Sequence, residues 1–139
     1  MSTTILAALL NLSFLATTSN MSYDEAYRLA NADEGRPLVV LVGADWCPAC
    51  QQMKQSVMPS VQQRGSLSHV AFAMVNTDRE GALAGQLMQG SSIPQLVMYV
   101  KTGAGWSRRQ LTGAQSVADV EGFVANGLNS RPLGTVTSR

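Results

Sequence analysis

Pro37-Leu38-Val39-Val40-Leu41-Val42-Gly43-Ala44-Asp45-Trp46-Cys47-Pro48-Ala49-Cys50 is the stretch on which the reading of this chain turns. From Leu38 to Val42 it is continuously apolar, without alternation and rich in β-branched side chains. Such a run predicts a central strand buried on both faces. The strand leads straight into two cysteines three residues apart. A helix is expected from Cys47 or just after it, through Lys54 to about Val57, with Pro59 kinking it or starting a fresh turn. On a helix, residues three apart share a face and differ by about 4.5 Å in rise, so the two sulfurs can meet as a disulfide. As a staple that bond is weak, because closing so short a loop is worth about 2 kcal/mol at best. Reversible chemistry explains it better than an inert crosslink does.

Upstream, Ser22 with Glu25 three residues later is a capping-box signature, and Tyr23, Ala26, Tyr27 and Ala30 recur at helical spacing. A helix is expected over Ser22 to Asp33, ending near Gly35. Downstream, His69 to Asn76 reads as a second strand, and Arg79 to Met88 as a short helix with Leu83, Leu87 and Met88 on one side. Gln95 to Lys101 and Ser107 to Leu111 pair as strands about the turn residues Thr102 to Gly105. Val117, Val120, Phe123, Val124 and Leu128 mark a closing amphipathic helix. Helix and strand alternate first, then a hairpin and a helix follow. That order predicts an α/β fold with a central mixed sheet of about four to five strands and helices on both faces. Ligands of open α/β sheets gather at strand C-termini, where the first strand meets the cysteines.

The 139 residues suffice for one domain, and 45% apolar with 14% charged residues is enough to bury a core. Ten Lys and Arg against nine Asp and Glu leave a net charge of +1, which argues against nucleic acid as a partner. Two cysteines and one histidine exclude a zinc site made of those residues alone within one chain. Residues 21–129 are read as the domain and 130–139, with Pro132, Gly134 and several Ser/Thr, as a flexible tail. The first 20 residues carry no charge, and from Ile5 to Ala16 all but Asn11 and Ser13 are apolar. That run is too short for a stable membrane span but suits the middle of an export signal. A packed N-terminal element is the alternative. Export places the protein outside the cytoplasm, periplasmic or secreted, where disulfides persist; the packed alternative keeps a cytoplasmic protein open.

At the mouth of its helix, Cys47 faces unpaired N–H groups and the positive end of the dipole, which favour a thiolate. Cys47 is the expected nucleophile, Pro48 suits the first helical position, and Cys50, one turn deeper, suits the resolving role. The expected chemistry is attack, mixed disulfide and release, with protein thiols and disulfides as substrates. No cofactor beyond the Cys47–Cys50 pair and no resident metal is expected. Trp46 either lines a substrate groove or packs as an ordinary aromatic. Two thiolates and methionine thioethers could instead bind and deliver Cu(I), although Met53, Met58, Met74, Met88 and Met98 fall at core-like positions. His69 reads as a surface or strand-end residue. With no third cysteine for a relay, an external redox partner must reduce or oxidise the pair. A monomer is expected.

These residues together resemble the thioredoxin superfamily. The resemblance rests on Leu38–Val42, on Ala44 to Cys50, on Val75-Asn76-Thr77-Asp78, on Ser92-Ile93-Pro94-Gln95 and on Leu111-Thr112-Gly113-Ala114, and it spans roughly Ser22 to Leu128. It implies a thioredoxin-like fold and a thiol–disulfide oxidoreductase, more similar to exported thioredoxin-like domains than to cytosolic thioredoxin. It also implies that Pro94 is cis, faces the cysteines, and holds the Ile93 backbone open for a substrate strand. Gly113 and Ala114 would border that groove. Two positions depart from the pattern: Leu41 stands where thioredoxins carry a buried Asp, and Met74 where the next strand carries a Lys. Losing both together strands no charge and implies a dry, well-packed core there. Asp45 or water could replace the missing proton acceptor for Cys50; a plain exposed charge is the other reading of Asp45. Pro48-Ala49 between the cysteines also differs from the Gly-Pro of reducing thioredoxins. A binding module using Trp46, Ile93 and Gly113 without redox turnover is the remaining alternative.

Overall fold

Leu38–Gly43 (β1) forms the middle of the sheet, with every side chain from Leu38 to Val42 buried. In the computed structural model, which describes residues 20–32 and 35–130, β1 lies between a parallel and an antiparallel neighbour. The parallel neighbour is β2 (Ala71–Asn76) and the antiparallel one is β3 (Gln95–Thr102); β4 (Gly105–Thr112) pairs outside β3, giving the order β2-β1-β3-β4. Among the described residues the mixed sheet thus has four strands. The stretches read as an export signal and as a tail lie almost wholly outside the described residues. Among the described residues, no helix is long and apolar enough to cross a membrane.

Alternation along β1 builds two cores. Val39 and Leu41, with Leu96, Met98 and Val100, face Met53, Met58, Val61, Val120 and Phe123 on one side. Leu38, Val40 and Val42, with Ala71, Ala73 and Val75, face Ala26, Ala30, Ala84 and Leu87 on the other. Helices therefore cover both faces. Val39, Val40 and Val42 are fully buried, and each contributes on the order of 1.5–3 kcal/mol of apolar transfer.

The first helix, α1 (Tyr23–Ala30), is capped as its sequence implies: Ser22 Oγ accepts the Glu25 N–H at 3.2 Å, and Glu25 Oε2 accepts the Ser22 N–H at 2.9 Å. It stops at Ala30, earlier than expected, with Asn31 as C-cap. After the cysteines, α2 (Pro48–Gln52), a π-helical turn (Met53–Val57) and α3 (Met58–Gln63) follow without a break. Pro59 stands in the first turn of α3, so a fresh α-helical turn does begin there, continuous with the π-helical turn before it. Proline brings no N–H and crowds the carbonyl four residues back, and the wider π turn just before it relieves both problems.

Three element starts differ from the sequence reading, and one is β4, which begins at Gly105 and not at Ser107 because Thr102 pairs with Gly105 across the hairpin. Strand β2 begins at Ala71 and leaves His69 exposed, because its parallel register opens where Leu38 faces Ala71 and Pro37 O accepts the Ala71 N–H at 2.8 Å. Helix α4 (Gly81–Leu87) begins two residues later than Arg79. Asn76 Oδ1 accepts the N–H groups of Asp78 and Arg79, at 2.9 and 3.1 Å, and holds them in a turn. The closing helix α5 (Val117–Asn129) has a capping box of its own in Ser116 and Asp119.

Candidate active site

Strand β1 delivers the chain to the C-terminal edge of the sheet, and Ala44-Asp45-Trp46 turns it into α2. Cys47 is the N-cap, with extended backbone (φ −92°, ψ 111°), and its Sγ accepts the Cys50 N–H at 3.2 Å. That is the anion-favouring position of a helix mouth. Cys47 and Cys50 are joined as a disulfide, with Cα atoms 5.1 Å apart. Both are buried, in a cluster with Ala44, Ala49 and Ile93. Gly43 makes the close packing feasible, since a Cβ there would stand 2.9 Å from Cys50 Sγ and 3.0 Å from Cys50 Cβ.

The segment carrying Pro94 meets the cysteines from the other side. The Ile93–Pro94 peptide is cis, and the Ile93 carbonyl oxygen lies 4.0 Å from Cys47 Sγ. Pro94 O accepts the Gly113 N–H at 2.8 Å, which brings Gly113, at φ 85°, behind the same loop. A left-handed φ of that kind suits glycine. Ala114, next in the chain, is exposed. The Ile93 N–H donates to no group among the described residues.

Trp46 is 69% exposed rather than packed, and its Nε1 donates to Asp78 Oδ2 at 3.0 Å. Asp45 is also exposed. Its carboxylate pairs with Arg79 Nη1 at 2.9 Å and accepts a longer bond from Asn76 Nδ2 at 3.4 Å. It stands on the rim of a cleft of about 100 Å³ whose walls include Cys50, Leu41, Gly43 and Met74. Lys54 and Glu80 share the rim. Leu41 is buried and Met74 packs against the same core, as the loss of both charges implies, and the cleft opens at their margin. Leu41 and Met74 are register partners on β1 and β2, but Gly43 contributes no side chain, so a small opening with a charged mouth remains.

Two polar residues at this end escape a reading by sequence. Arg79 reaches Asp45 only through the fold, and no local signal marks it. Gln95 is fully buried yet polar; its signal is a single amide at the head of the apolar run Gln95 to Val100. The methionines considered as thioether ligands serve as packing: Met53, Met58 and Met98 are buried in the core, with Met74 and Met88 packed against it.

The chain is similar to known proteins. A family model described as thioredoxin-like matches residues 17–101. The thiol:disulfide interchange protein DsbD of Ralstonia nicotianae is 32% identical over 69 residues, which is 50% of this chain and only 11% of that protein's length. Among solved structures, a thioredoxin from Thermus thermophilus superposes with a TM-score of 0.62 at 27% identity, covering 76% of this chain and 82% of its own. Thioredoxin from Trichomonas vaginalis does so with a TM-score of 0.58, again at 27% identity, over 77% and 92% of the two chains. The family match takes in more than half of the chain and encloses both cysteines, so the chain belongs to the thioredoxin-like family.

Proposed function

We propose that the protein exchanges disulfides with other proteins, with Cys47 attacking and Cys50 resolving. The observation that carries this reading is the meeting of Cys47 Sγ, at a helix mouth, with the unpaired backbone edge of Ile93. In the reducing direction, the Cys47 thiolate attacks one sulfur of a substrate disulfide and displaces the other as a thiolate. Cys50, once deprotonated, attacks Cys47 Sγ, releases the second substrate thiol and closes the Cys47–Cys50 disulfide. Two electrons pass to the substrate and its sulfurs take up two protons. An external dithiol partner then restores the pair; the opposite direction runs the same steps backwards.

The roles of the surrounding residues follow from their places. A substrate strand pairs along Ile93, held open by cis Pro94, with Trp46 and Gly113 bordering the groove. The proton of Cys50 leaves through the cleft, to Asp45 at its rim or to water. The domain spans residues 21–129 and works as a monomer. The uncharged apolar start of the chain supports work outside the cytoplasm; a reporter active only after export, fused after residue 20, should be active, and equal activity without residues 1–20 would count against it.

Insulin reduction with dithiothreitol tests the chemistry. Cys47→Ser is expected to fall to the uncatalysed rate, and Cys50→Ser to accumulate a mixed disulfide that runs as a larger band without reductant. A wild type no faster than Cys47→Ser would sink the proposal.

A further inference from the structure

Gln95 stands fully buried at the head of β3, immediately after the cis peptide bond. Its side-chain amide pairs with the main chain of Gln89 as another peptide group would: Oε1 accepts the Gln89 N–H at 3.2 Å, and Nε2 donates to the Gln89 carbonyl at 2.9 Å. The same Nε2 reaches the carbonyls of Ser92 at 3.0 Å and Gly90 at 3.3 Å. Gln110, on β4, adds a bond from its Nε2 to the Gln89 carbonyl at 3.3 Å. Residues 89–92 are exposed and make no backbone–backbone hydrogen bond among the described residues. Two glutamine side chains thus supply the hydrogen bonds that fix this loop.

The loop leads directly into Ile93, which packs on the Cys47–Cys50 cluster. We propose that Gln95 is a positioning residue for substrate recognition. By pinning residues 89–92 it keeps the Ile93 backbone edge beside Cys47, ready to receive an extended peptide. This rests on the disulfide-exchange function proposed above. A segment with few backbone bonds of its own opens readily, and a binding edge that must first be ordered weakens association. A peptide that pairs as a strand needs the edge. A small disulfide that reaches the sulfur without pairing does not. Gln95 itself stays in β3 through its backbone register with Val42 and Thr112, so the strand does not depend on the amide.

The test compares two substrates, insulin and dithionitrobenzoate, in wild type, Gln95→Met and Gln110→Ala, with Cys47→Ser as the blank. For Gln95→Met, KM for insulin should rise about tenfold, while the dithionitrobenzoate rate and the reduction potential stay within about twofold of wild type. Gln110→Ala, on the border strand β4, removes one bond to the Gln89 carbonyl, together with bonds to Arg108 and Thr112 that do not reach the loop; a rise of about twofold in the insulin KM is expected. It carries the test alone if Gln95→Met does not fold. An unchanged insulin KM in the folded variants, or an equal loss toward both substrates, overturns the proposal. A wild type that matches Cys47→Ser on dithionitrobenzoate overturns the underlying function, and that result is read without any Gln95 variant.

Discussion

A methyl group on Gly43 would have to share space with the sulfur of Cys50, whose partner bond to Cys47 ties it in place. Gly43→Ala is therefore expected to destabilise the oxidised protein by about 1–3 kcal/mol, the usual cost of overpacking. Urea unfolding of the oxidised form reads this directly, and an unchanged midpoint would show that the sulfur can move. Leu41 and Met74, facing partners on neighbouring strands, allow a second test. Leu41→Asp alone buries a carboxylate without a partner, and a loss of about 3 kcal/mol is expected. Adding Met74→Lys should recover about 1 kcal/mol or more as coupling. A purely additive double-mutant cycle would mean that the two side chains do not meet. At this scale the sequence was legible where chemistry is local: Cys47 and Cys50 lie within one helical turn, and Ile93–Pro94 within one peptide unit. The Asp45–Arg79 pair and the Gln95 clamp were not, because each joins residues that only the finished fold brings together.

Helix α5 carries two glycines with opposite surroundings. A Cβ on Gly122 would meet open space, whereas one on Gly127 would run into the thioether of Met98, which is itself fully buried. Gly122→Ala should stabilise by about 0.5–1 kcal/mol through the unfolded chain. Gly127→Ala should fall at least about 1 kcal/mol below it, since Met98 has to move within a filled core. Thermal or urea unfolding of the two variants decides the sign. In α1, the Tyr23 phenol is raised above its ordinary value of 10.0, first by burial, then by Tyr99, Tyr27 and Asp24. A raised folded pKa means that the neutral phenol is the form the fold favours. Its contribution to stability is complete below pH 10 and is lost as the pH climbs through the raised value. The wild type should lose stability more steeply than Tyr23→Phe above pH 10, as followed by melting temperature; parallel curves would remove Tyr23 from the account. Among the elements, β1 and the Ser22–Glu25 cap were plain in the sequence because each is written in adjacent residues. The π turn before Pro59 and the late start of α4 were not: one is a compromise among helix hydrogen bonds, the other a turn closed by the side chain of Asn76.

At the scale of the molecule, alternating elements foretold a mixed sheet covered on both sides but not its strand order. That order needs β3 to enter beside β1, and apolar runs do not record which neighbour a buried strand will choose. The redox pair makes a global prediction. Its loop spans so few residues that reduction should shift stability without altering what unfolds. Oxidised and reduced forms should therefore give the same urea m-value. Their stability difference should match the gap in reduction potential between the folded pair and an unfolded one, about 1.4 kcal/mol per 30 mV. A smaller m-value for the reduced form would show that the bond holds together more than its own turn.

Strand β4 has a neighbour on one side alone, among the described residues. A border strand of this kind is open to pairing with any stray extended chain. Arg108 and Arg109 sit consecutively on this border and extend to opposite faces, the first to the Leu87 carbonyl at 2.8 Å, the second over the Phe123 ring at 5.5 Å. Charge along a border strand discourages stray pairing and the aggregates that grow from it. Stray strands are thereby turned away from this margin of the sheet.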